Sequence, residues 1–159
     1  MNYVHSHREE WVLRFYERMN IFFPSDIDIH SIAYHHRIYI KFWDKPSNYK
    51  RLGRFQAIYL QYGLSPEEER IQFFHELGHL LRHSGSQFFM TSSFAELQEW
   101  DANLFAFYAA LPWHMLKQYD LNNCNTITQV SQEFCVPIEF VDKRMLFIKQ
   151  KIKDYEVVT

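Results

Sequence analysis

Residues 73–83 read Phe-Phe-His-Glu-Leu-Gly-His-Leu-Leu-Arg-His, and inside them stands His75-Glu76-Leu77-Gly78-His79, an H-E-x-x-H sequence. On an α-helix, positions i and i+4 lie on nearly one face, so the two imidazoles can reach a single metal ion. Glu76 follows His75 directly and points round the helix beside that face. There it can move a proton without being a ligand. The flanking residues supply the helix. Ser65-Pro66-Glu67-Glu68 reads as an N-cap, a proline in the first helical position and a capping-box glutamate, with acidic side chains on the positive end of the dipole. Ile71, Phe74, Leu77 and Leu81 then give an apolar face at helical spacing.

Zinc in catalytic sites takes three protein ligands and keeps a fourth position open, so a donor beyond His75 and His79 is needed. Ser93-Phe94-Ala95-Glu96 is another capping-box sequence and predicts a second helix running to Leu111, stopped by Pro112. Its later half, residues 104–111, is apolar all round, the mark of a buried helix. Glu99 enters this helix on one face with Ala102, Asn103 and Ala106. A carboxylate entering a buried helix needs a cation or a donor to meet it, and small neighbours leave room for one. Glu99 is therefore the candidate third ligand, with Glu96 and Asp101 as the competing carboxylates. Asn103, one turn further on, can hold the outer nitrogen of a liganding histidine.

The interval from His79 to Glu99, followed by Glu-x-x-x-Asn, is similar to the gluzincin arrangement of a liganding Glu and an outer Asp or Asn. The metzincin pattern is not met, because Arg82 and Gly85 stand where a glycine and a third histidine are required. More narrowly, LSPEEERIQFFHELGHLLRH (residues 64–83) followed by EWDANLFAFYAALP (residues 99–112) resembles the ImmA/IrrE family of metallopeptidases. In that family an HELGH-type helix with a trailing His precedes an E-x-x-A-N-x-F-A segment ending in Leu-Pro. Phe74, where the family usually has a small residue, and Ala109-Ala110-Leu111-Pro112, in place of a more aliphatic ending, depart from the pattern without removing a ligand. The resemblance implies a zinc-dependent intracellular peptidase whose substrates include helix-turn-helix repressors of mobile elements and stress genes.

The rest of the chain is read around this core. With 159 residues, 47% of them apolar and 18% aromatic, one packed domain is expected. It divides into N-terminal helices (1–36), a sheet and active-site core (37–112) and a C-terminal helical region (113–159). A net charge of −2 argues against constitutive nucleic-acid binding. Cys124 and Cys135 read as free thiols, and the lack of a secretory or membrane-spanning run points to the cytoplasm. Helices are predicted over 7–20 and 26–35, strands over 37–43 and 54–60, and a loop over 44–51. Phe88, Phe89 and Met90 lie in a connector, as core or as a lip for substrate. Helix, turn, helix is predicted over 128–134 and 138–151, with Val141, Leu146 and Ile148 inward. Its basic residues Lys143, Arg144, Lys149 and Lys151 are partly balanced by Glu139 and Asp142, which favours a structural cap or substrate-docking element over DNA contact.

The fold expected is α+β and zincin-like, a small sheet packed on the H-E-x-x-H helix and a second ligand-bearing helix. The function expected is zinc-dependent peptide hydrolysis, with His75, His79 and Glu99 on the ion, Glu76 as general base and Asn103 behind a ligand. His83, Tyr108 and His114 are open candidates for a substrate or oxyanion contact. The partner implied is a helix-turn-helix repressor, with neither nucleic acid nor membrane bound directly. The rival is a non-catalytic module that binds and occupies a regulatory protein.

Overall fold

Ser6 opens the first helix through a closed capping box. Its hydroxyl accepts from the Glu9 N–H (3.3 Å), and the Glu9 carboxylate accepts from the Ser6 N–H (2.9 Å). The structure, a computed structural model, describes residues 3–83 and 90–158, with side chains to residue 154. Helix α1 (His7–Arg18) buries Val12, Phe15 and Tyr16. A 3₁₀ turn (Pro24–Asp26) leads to α2 (Ile29–His35), whose N-cap Asp28 accepts from the Ser31 N–H (2.8 Å) and which sends Ile29, Ile32 and Ala33 inward.

Three strands follow: β1 (Tyr39–Trp43), β2 (Asn48–Leu52) and β3 (Phe55–Gln61), in the order β1-β3-β2. β1 runs parallel to β3 with Ile40 beside Ile58, and β2 runs antiparallel with Tyr49 opposite Ile58. This corrects the loop expected over 44–51, because residues 48–52 form a strand. A two-residue turn at Gly53 and Arg54 joins it to β3, and Gly53 takes the left-handed φ of +58° that such a turn requires. Asn48-Tyr49-Lys50-Arg51-Leu52 hid its strand character because only Tyr49 is partly covered. Its place is set by backbone pairing, not by an apolar face. On β3, Ile58 and Leu60 are fully buried.

α3 (Pro66–Arg82) begins with the capping box read from the sequence: Ser65 Oγ accepts from the Glu68 N–H (3.2 Å), and the Glu68 carboxylate accepts from the Ser65 N–H (3.0 Å). α4 (Ser92–Ala110) does not begin as read. Its N-cap is Thr91, whose hydroxyl accepts from the Phe94 N–H (3.4 Å), so Ser93 lies inside the first turn. The two helices meet closely at Gly78. A Cβ there would stand 2.9 Å from Phe105 Cδ1 and 3.3 Å from Ala102 Cα, so the missing side chain is what lets α3 and α4 pack this closely.

The chain closes with α5 (Trp113–Leu116), α6 (Asn125–Phe134) and α7 (Ile138–Val158). Val141 and Ile148 are buried as expected, but Leu146 is 60% exposed and Arg144 is fully buried instead. Arg144 Nη2 donates to Glu9 Oε1 (2.9 Å) and Nε to the Leu111 carbonyl (3.1 Å), with the guanidinium 4.8 Å from the Tyr108 ring centre. Lys151 donates to the other Glu9 oxygen (2.7 Å). Two of the five basic residues of α7, Arg144 and Lys151, therefore serve α1. The architecture is α+β, with a continuous apolar core from Val12 in α1 to Ile152 in α7. Residues 84–89, with Phe88 and Phe89, lie outside the described residues; Met90 is half-buried. Among the described residues no helix is long and apolar enough to cross a membrane.

Candidate metal centre

His75 and His79 leave α3 one turn apart, and Glu99 comes to meet them from α4. His75 Nε2 lies 3.1 Å from Glu99 Oε2, His79 Nε2 lies 3.0 Å from Glu99 Oε1, and the two Nε2 atoms are 3.3 Å apart. Ligands about 2.0–2.1 Å from a tetrahedral ion stand roughly 3.3 Å from one another. The triangle thus has the size that one zinc-sized ion requires, and its donors suit such an ion. His79 forms its buried wall, and Glu99, with a side chain 47% exposed, forms its open one. Glu99 sits ahead of the buried half of α4, so its candidacy rests on convergence with the two histidines and not on the cost of burial. Glu96 is exposed, and Asp101 is engaged elsewhere.

Glu76 is buried beside the triangle. Burial, reinforced by the charge of Glu99, pushes its carboxyl up to about 7. A dication in the triangle would draw that value down again. Burial pushes the His79 ring down to about 4, which keeps it neutral at pH 7, the form in which an imidazole binds metal.

The surroundings add residues that sequence reading missed. Tyr49 on β2 stacks against the His79 ring, with centroids 5.0 Å apart and planes 18° from parallel. Arg51, two residues on, donates to the carbonyls of Leu80 and His83 (3.1 Å to the latter) at the end of α3. Both lie on the strand read as a loop, and the available signal was Gly53 between two short runs two residues apart. Asn103 is exposed and lines a groove with Ser47, Gln61, Gln72, His75 and Glu76. Among the described residues its amide holds no ligand's outer nitrogen. On His79 that place is taken by His83, Nδ1 to Nδ1 at 3.1 Å, and His83 Nε2 lies 3.0 Å from Asp101 Oδ2.

The other two expected contacts are not brought to the triangle. Tyr108 is nine residues beyond Glu99, half a turn round α4 and about 13.5 Å along it, buried under Arg144. His114 packs by α1 with its ring 5.9 Å from that of Tyr16, and burial pushes it down to about 4.

An H-E-x-x-H helix facing a carboxylate-bearing helix is the ligand arrangement of a metallopeptidase class. Residues 33–146 match the Peptidase M78 family, the IrrE N-terminal-like domain, and the chain belongs to that family. The phage-like element PBSX protein XkdA of Bacillus subtilis (strain 168) is 36% identical over 149 residues, covering 92% of this chain and 75% of XkdA. The protein YqaB of the same organism is 27% identical over 157 residues, covering 98% and 91%. A solved Mycobacterium tuberculosis transcriptional regulator superposes with a TM-score of 0.63 at 16% identity, over 88% of this chain and 46% of the regulator. The chain spans under half of that protein, and the likeness is one of fold.

Proposed function

We propose that this chain is a zinc-dependent endopeptidase with zincin-like packing, acting in the cytoplasm on a helix-turn-helix repressor of a mobile element. The observation that carries the reading is the triangle of His75, His79 and Glu99, with edges of 3.0–3.3 Å and Glu76 buried beside it. Zinc held there would supply Lewis acidity toward a water and the scissile carbonyl. Glu76 takes the proton of the attacking water on its carboxylate and returns it to the leaving amine. His79, neutral and stacked on Tyr49, offers Nε2 in a fixed plane. Asn103 lines the groove at His75 and Glu76, where its amide can hold a substrate's backbone.

Substrate binding follows from the sheet. β2 is an edge strand, and among the described residues it pairs with β3 alone. Arg51 ties it to the end of α3, so an extended segment adding to that edge passes close to the triangle. The repressor assignment is supported by the family and by XkdA, which its name places in a phage-like element. Arg144 and Lys151 are taken up by Glu9 and so are not offered to operator DNA.

Mixing the protein with the helix-turn-helix repressor encoded beside its gene tests this. Discrete fragments are expected, formed faster from free than from operator-bound repressor, because only a loosened segment can join a strand edge. Tight binding without fragments, in the presence of zinc, would favour a non-catalytic module that occupies its regulator. Tight, salt-sensitive binding to operator DNA alone would overturn the partner assignment.

A further inference from the structure

We infer that Asp101 and His83 form a positioning chain that fixes the tautomer and orientation of ligand His79, and that α1 closes this chain through Arg8. The inference rests on His79 being a metal ligand, as proposed above. His79 Nε2 faces Glu99 and His75, which leaves Nδ1 to be held from behind. The atom that meets it is His83 Nδ1 at 3.1 Å. His83 Nε2 in turn meets Asp101 Oδ2 at 3.0 Å.

The direction of every hydrogen in this chain follows from its two ends. An ionised carboxylate only accepts, so His83 Nε2 carries a hydrogen and donates it. At the inner end a liganding His79 keeps its own hydrogen on Nδ1, and His83 Nδ1 is the atom placed to accept it. The lone pair of His79 is thereby held on Nε2, toward Glu99 and His75. Outer partners that set ligand tautomers in this way typically change metal affinity about 10–100-fold when lost.

Asp101 is well placed to anchor the chain. Arg82 Nε donates to Oδ2 (2.8 Å) and Arg82 Nη2 to Oδ1 (3.3 Å), while Arg8 Nε, from α1, donates to Oδ1 (2.8 Å). Those bonds and the one from His83 fill the four acceptor positions of the carboxylate. The arginines are held in their turn, Arg82 over the Trp11 ring (5.5 Å) and Arg8 over Trp100 (4.9 Å). The chain is shielded as well: the side chains of His79, His83 and Asp101 are 1%, 10% and 13% exposed. Asn103, where the Glu-x-x-x-Asn spacing had placed this role, lies instead in the groove beside His75 and Glu76.

Zinc affinity, measured by competition with a chromophoric chelator, tests the chain apart from any turnover. His83→Leu removes both ring nitrogens and leaves Asp101 with its arginines, so the fold is expected to survive. It should weaken zinc binding about 10–100-fold and change the visible spectrum of the cobalt-substituted protein. Asp101→Ala should do the same in the wild-type background but add little in the His83→Leu background, because both act on one imidazole. Asp101→Glu should restore part of the affinity. Unchanged zinc affinity in His83→Leu, or full additivity of the two substitutions, would overturn the inference while leaving the triangle standing. Failure of the wild type to bind zinc at all would overturn the ligand assignment and this inference with it.

Discussion

Glu76→Gln is expected to slow peptide hydrolysis on the order of a thousandfold while the protein keeps its fold and its zinc. The amide fills the same space but cannot take a proton, and the triangle of His75, His79 and Glu99 is untouched by the change. The same substitution should raise, not lower, the melting temperature of the metal-free protein. Glu76 is 7% exposed and burial disfavours its charge, so a neutral amide relieves a cost of the site. Single-turnover appearance of repressor fragments reads the rate, and elemental analysis reads the zinc. An unchanged rate would move the proton transfer to another group.

Arg144→Met should have the largest effect on stability, a loss of about 3–5 kcal/mol, read from the denaturant midpoint. Arg144 is fully buried, and its partner Glu9 is 4% exposed. Removing the guanidinium leaves the Glu9 carboxylate inside with Lys151, Tyr3 and Ser6 to meet it among the described residues, and it strips the carbonyl of Leu111 of a donor. A loss below about 1 kcal/mol would mean that water enters and solvates Glu9. The pair also sets an acid limit. Burial would raise the Glu9 carboxyl, but Arg144 first and then Lys151 outweigh it and bring the group from its ordinary 4.5 down to about 2. A depressed carboxylate contributes stability that is fully present above its unfolded value and is lost as pH falls through the folded one. Stability should therefore fall between about pH 5 and pH 2, and less steeply in Arg144→Met.

What could be read from the sequence was local. Ser65 and Glu68 cap α3 by contacts three residues apart, and the i,i+4 spacing of His75 and His79 needs only a helix. That Glu99 would face the two histidines was legible because the helix carrying it could be placed, even though its cap is Thr91 and not Ser93. The features that escaped are long-range. β2 is a strand because β3 pairs with it, so its own exposed residues carry little sign of it. Arg144 is buried because Glu9, 135 positions away, comes to meet it. Asp101 was weighed as a rival ligand, but Arg8 and Arg82 hold it from α1 and α3. His83 was read as a candidate substrate or oxyanion contact, and its bond to Asp101 escaped for the same reason. No spacing rule joins it to a carboxylate eighteen residues on.

The central claim is that His75, His79 and Glu99 together hold one zinc ion beside Glu76. Elemental analysis of the purified protein, dialysed and compared with Glu76→Gln and Glu99→Ala, tests it most directly. About one zinc per chain is expected in the wild type and in Glu76→Gln, with most of it lost from Glu99→Ala. A full equivalent of zinc retained by Glu99→Ala, or none in the wild type, would contradict the account.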